Sequence, residues 1–161
     1  MIYTVTFNPA LDYVMKVEKL QFDDINRTYG EELNYGGKGI NVSVILSRLG
    51  VENTALGFQA GFTGEKLEEL LKADGIKTDF IALKNGMTRI NVKIKAQTEL
   101  DINAGGPPIE EDEVERLFEK IKAFQSGDVI VLAGSVPGTL PPDIYEKILS
   151  VTSNPASLRM V

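Results

Sequence analysis

A chain of 161 residues with 17 Lys and Arg against 23 Asp and Glu carries a formal charge of −6, which argues against the clustered basic surface that nucleic-acid binding requires. Cysteine and histidine are both absent, excluding disulfides, thiolate and imidazole metal sites, and Ser-His or Cys-His nucleophiles, so any acid–base work falls to carboxylates, lysines or tyrosines. The 43% hydrophobic share suits one compact soluble domain, and no apolar run approaches the ~18 residues of a membrane span. No membrane partner is therefore expected.

The start alternates like a strand over residues 2–7 and has no basic leader, so a cytoplasmic address is the expectation. That strand is predicted to end at Asn8-Pro9-Ala10, with Asp12 in the loop just beyond. Residues 13–17 and 26–35 read as two further strands, polar enough to turn one face to water or ligand. Then Gly36-Gly37-Lys38-Gly39-Ile40-Asn41 opens a helix whose Val44, Ile45, Leu46 and Leu49 fall at helical spacing before a stop at Gly50. Glycines let backbone N–H groups approach a ligand, a helix N-terminus favours anions, and Lys38 adds a full charge. The combination suits a phosphorylated small molecule, and no Lys-Ser or Lys-Thr pair makes it a Walker turn.

A strand at 53–58 follows, then a helix at 65–73 introduced by Gly61-Phe62-Thr63-Gly64, and a strand at 77–83. Asn85-Gly86 turns the chain into residues 89–95, where Ile90, Val92 and Ile94 take one face and Arg89, Asn91, Lys93 and Lys95 the other. Pro107-Pro108 precedes a helix from 110 to 124, whose acidic opening at 110–113 complements the helix dipole and is not read as a metal site. Residues 128–133 form the clearest buried strand, ending in Gly134-Ser135-Val136-Pro137-Gly138, and Pro141-Pro142 begins a last helix through Ile144, Ile148 and Leu149. Beyond Ser150 no helical period and no further strand is recognised, so 151–161 reads as an atypical tail.

Strands alternating with helices imply an α/β fold with a parallel sheet, whose ligands collect beyond the carboxyl ends of the strands. The loops at 8–12, 36–39 and 134–138 all lie there. The two alternating polar stretches, near 12–35 and 88–104, fit poorly in a doubly covered sheet and are placed together as a small antiparallel lid over that edge.

Five motifs in order carry a resemblance to the ribokinase-like carbohydrate kinases of the PfkB type. They are Tyr3-Thr-Val-Thr-Phe-Asn-Pro-Ala-Leu-Asp12, Gly36-Gly-Lys-Gly-Ile-Asn-Val-Ser43, Ala55-Leu-Gly-Phe58 with Gly61-Phe-Thr-Gly64, Thr88-Arg-Ile-Asn-Val-Lys93, and Ala133-Gly-Ser135 with Pro137. The resemblance is strongest to members that phosphorylate fructose 1-phosphate with ATP and Mg²⁺, with phosphorylation of tagatose 6-phosphate the nearest rival. It implies that Asp12 binds sugar hydroxyls and that Gly36, Gly37 and Asn41 hold the sugar. Lys38 and Arg89 are implied near the phosphate, Arg27 less strongly, and Asn103 is a further candidate contact. Ser135 faces substrate by resemblance, although turn chemistry at a strand end explains it equally well.

The family's catalytic aspartate and most of its nucleotide site belong to a C-terminal half that is not recognised here. Residues 1–150 are thus expected to hold the sugar-phosphate half-site without a catalytic residue. A noncatalytic phosphosugar-binding fragment is the alternative reading. The resemblance also implies a homodimer through the lids.

Overall fold

The computed structural model describes residues 1–152 together with the backbone of a short strand at 158–159. Its main sheet is parallel throughout. Along it lie β10 (Leu158–Arg159), β9 (Val129–Leu132), β1 (Ile2–Thr6), β4 (Asn53–Gln59) and β5 (Lys77–Thr78), with β6 (Ile81–Ala82) pairing farther along β4. Helices α1 (Lys38–Arg48) and α2 (Gly61–Ala73) pack on one face, and α3 (Glu111–Lys122) and α4 (Ile144–Val151) on the other.

Period-two alternation divides the core between those faces. Val5, Phe7, Leu56 and Phe58 point to a large cluster with Leu117, Ile121, Ile144 and Ile148, while Ala55 points to Ile40, Val44, Leu67 and Leu71. The α1 side of the sheet is lined with small residues. Thr4 Oγ1 meets Ser43 Oγ at 2.6 Å, and Thr6 Oγ1 accepts the N–H of Ile40 at 3.1 Å. A Cβ on Gly39 would stand 2.4 Å from Thr6 Oγ1 and 2.8 Å from the Val5 carbonyl oxygen, so this glycine serves close packing of α1 onto β1.

A second sheet stands at the carboxyl edge of the first, in the order β3 (Thr28–Gly36), β2 (Ala10–Val17), β7 (Arg89–Lys95), β8 (Glu99–Ile102). It is mixed, not antiparallel: β2 runs antiparallel to β3 and β7 to β8, but β2 and β7 pair in parallel. Both central strands enter from the same edge of the main sheet, one following β1 and the other β6, and so run the same way. Leu11, Tyr35 and Ile90, opposite one another on one face, seat the near end of this sheet on α1 and α2.

Three further expectations are corrected. β2 begins at Ala10, directly after Pro9, so Asp12 lies inside a strand and not in a loop. A proline is tolerated ahead of a strand's first hydrogen-bonded residue. The stretch 77–83 is divided into β5 and β6, both on β4. In the tail, Leu158–Arg159 pairs in parallel with the otherwise free edge of β9; residues 153–157 and 160–161 lie outside the described residues.

Candidate functional site

The carboxyl ends of β1 and β9, the N-terminus of α1 and the first half of β7 meet around a crevice of about 360 Å³. Thr6, Asn8, Gly37, Lys38, Asn41, Arg89, Asn91, Lys93, Gly134 and Ser135 line it. Gly37 precedes α1 with φ 133°, a backbone that a side chain would strain, and has no side-chain cap. Ile40 N–H is taken by Thr6 and Asn41 N–H by the Gly37 carbonyl. The amides of Lys38 and Gly39 have no acceptor within the helix, which leaves this terminus with anion-binding capacity.

Arg89 reaches the crevice from the start of β7. Its Nη2 donates to the Asn8 carbonyl at 2.9 Å and its Nη1 to the Ala104 carbonyl at 3.3 Å, while its buried Nε has no partner. Burial pulls its pKa below the ordinary guanidinium value, with the charge of Asp12 partly opposing that shift. A partly desolvated cation whose hydrogen bonds, among the described residues, go to neutral carbonyls has unspent capacity for an anion. Lys38, with its Cβ side against Gly134, makes no ion pair among the described residues. Lys93 is already engaged, 3.2 Å from Asp101 Oδ2 and 3.9 Å from Asp12 Oδ2.

Asp12 stands beside the crevice. Its Oδ1 accepts from Asn91 Nδ2 at 2.9 Å across the β2–β7 pair, and its carboxylate lies over Gly36. The loop after β9 is fixed by the Tyr145 hydroxyl, which donates to the Gly134 carbonyl at 2.9 Å. The arrangement therefore offers cationic and amide donors for an anion together with one carboxylate for hydroxyl groups.

Of the residues singled out in the sequence, Gly37, Lys38, Asn41, Arg89 and Ser135 line this crevice, and Asp12 and Gly36 adjoin it. Arg27, in the exposed stretch before β3, and Asn103, exposed after β8, are not among its lining residues. Thr6, Asn8, Asn91, Lys93 and Gly134 were not singled out as site residues. Asn91 and Lys93 had a readable signal, the polar side of the alternating stretch, and Thr6 and Asn8 had only their place at a strand's end. Among the described residues no three His, Cys, Asp or Glu side chains form a metal-binding group. The crevice is lined by cations, amides and hydroxyls and is adjoined by a single carboxylate, so these residues do not fit Mg²⁺ or a Mg²⁺-bound nucleotide.

Comparison with known proteins agrees with the motifs. The chain is 47% identical over 148 residues to a 1-phosphofructokinase of Bacillus subtilis, covering 92% of this chain and 48% of that protein. It is 39% identical to a D-tagatose-1-phosphate kinase of Bacillus licheniformis, covering 95% and 50%. The crystal structure of phosphofructokinase-2 from Escherichia coli in complex with fructose-6-phosphate superposes with a TM-score of 0.89 at 26% identity, covering 99% of this chain and 54% of that one. The chain spans about half the length of the relatives it matches. A family profile described as pfkB family carbohydrate kinase matches residues 5–159, and with it the ordered motifs and the fold place this chain in the pfkB family.

Proposed function

We propose that this chain carries the sugar-phosphate half-site of an ATP-dependent kinase that converts fructose 1-phosphate to fructose 1,6-bisphosphate. The observation that carries the reading is the crevice itself: Lys38 and Arg89, two cations that form no ion pair among the described residues, line it together with the N-terminus of α1, with Asp12 alongside. Guanidinium and ammonium donors suit the phosphate ester, and a carboxylate suits the hydroxyls. The second sheet acts as a lid that brings Arg89, Asn91 and Lys93 over the ligand. Its residues do not supply the nucleotide and Mg²⁺ contacts, so the chain alone binds substrate and turns none over.

Titration calorimetry with fructose 1-phosphate, set beside an ATP-turnover assay, tests this. Binding without turnover supports the reading, and turnover by the 161-residue chain or absence of binding defeats it. Arg89→Ala is expected to weaken binding by roughly 10- to 100-fold, the loss of a charge-assisted interaction. The similarity to a D-tagatose-1-phosphate kinase favours a second substrate reading, a tagatose phosphate, which the same titration compares directly.

The opposite face of the lid carries Tyr13, Met15, Leu33, Val92, Ile94, Leu100 and Ile102, opposed pairwise by register, with Ile102 55% exposed. A second copy of this chain covers it, giving a homodimer through the lids, and sedimentation equilibrium tests the pairing.

A further inference from the structure

We infer that Asn91 is a positioning residue, and that it sets which way the Asp12 carboxylate faces the sugar. The inference rests on the sugar-phosphate reading above and deepens it. Asn91 is 7% exposed, lines the crevice, and donates from Nδ2 to Asp12 Oδ1 at 2.9 Å. Its own Oδ1 is buried without a partner among the described residues. A buried amide oxygen left unsatisfied is costly, and its retention at a crevice wall suits an amide whose task is to hold a neighbour.

The other neighbours of Asp12 leave its carboxylate room to turn. A Cβ on Gly36 would stand 3.0 Å from its Oδ1 and 3.1 Å from its Oδ2, so the carboxylate rests flat against β3 only because that residue is glycine. On the remaining side Lys93 Nζ is 3.9 Å from Oδ2. With Oδ1 committed to Asn91, Oδ2 is the oxygen left to accept from sugar hydroxyls. Asn91 thus governs the hydroxyl-reading end of the site, while Lys38 and Arg89 govern its anion-reading end.

The two ends separate by ligand. In Asn91→Ala the affinity for fructose 1-phosphate should fall about tenfold, the worth of one hydrogen bond to a charged group, while inorganic phosphate, which has no ring hydroxyls, binds as in wild type. In Asn91→Asp two carboxylates face each other, and sharing one proton restores a hydrogen bond. The deficit for the sugar ester, referred to wild type at the same pH, should therefore be large at pH 8 and shrink toward pH 5, a recovery that a merely structural role would not produce. Unchanged affinity in both variants, or equal loss of the two ligands, overturns the inference.

A ligand-free measurement separates this from the reading beneath it. Three-bond couplings of Asp12 should report one χ1 rotamer in wild type and averaging in Asn91→Ala. If the wild-type chain binds no ketose phosphate, the site reading fails while the couplings still decide the positioning. A single rotamer kept in Asn91→Ala overturns it.

Discussion

The two sheets solve different problems with the same period of two. In the main sheet both faces are covered, so β1, β4 and β9 are buried on each side and what differs between sides is size: Val5, Phe7 and Leu56 toward α3 and α4, against Thr4, Thr6, Ala55 and Gly57 toward α1. In the second sheet the faces differ in kind. Asp12, Asn34, Arg89, Asn91 and Lys93 share one, and Tyr13, Leu33, Val92 and Ile102 the other. The first sheet is fitted sterically on both faces, and the second presents one polar and one apolar face. A substitution in the one should cost stability, and in the other recognition.

The largest expected effect lies in the main sheet. Gly57 has φ 142°, and a Cβ there would stand 2.0 Å from the carbonyl oxygen of Thr6 on the neighbouring strand. Strain and overlap combine in Gly57→Ala, which should lose about 4 kcal/mol of stability by chemical denaturation. Leu67 comes next, fully buried in the cluster that seats the second sheet on α1 and α2. Leu67→Ala should cost about 3 kcal/mol, and a denaturation midpoint that barely moves would show the second sheet to be held in some other way.

How much of this difference the residues reveal in advance also divides by sheet. The buried run at 129–132, the helix stops at Gly50 and Gly75, and the two-faced stretch at 89–95 follow from local pattern and are where the motifs lie. What local pattern lacks is the direction in which a strand enters a sheet. The parallel pairing of β2 with β7 depends on two chain segments 79 residues apart, Asp12 and Asn91, leaving the same edge. Residue type does not give position either: Arg27 and Asn103 do not line the crevice of this chain, whereas Asn91 and Lys93, on the polar side of the alternating stretch, do. The glycine turn reads in the sequence as a ligand loop, yet Gly39 is needed for packing on β1, a contact that only the assembled fold reveals.

On the second sheet the apolar face should respond in association more than in stability. Ile102→Glu places a charge where the side chain is already 55% exposed, so unfolding should shift by no more than about 0.5 kcal/mol. Sedimentation should nonetheless move toward monomer. A variant that stays self-associated at the wild-type concentration dependence would place the contact between copies on another surface.

The smallest effect belongs to the far end of the polar face, where Lys16 on β2 donates to Glu32 on β3. That hydrogen bond, with the lysine's charge second, holds the Glu32 carboxyl below its ordinary value in the folded chain. A depressed folded pKa means that the contribution is fully present above the ordinary glutamate pKa of about 4.3 and is lost as pH falls through the folded value. The stability difference between wild type and Glu32→Gln should accordingly be constant above that range and disappear below it. Salt should shrink it throughout, since both partners are exposed to solvent. A difference that persists in strong acid would have to come from packing of the side chain instead of its charge, and the polar face would then be holding its shape by fit, as the main sheet does.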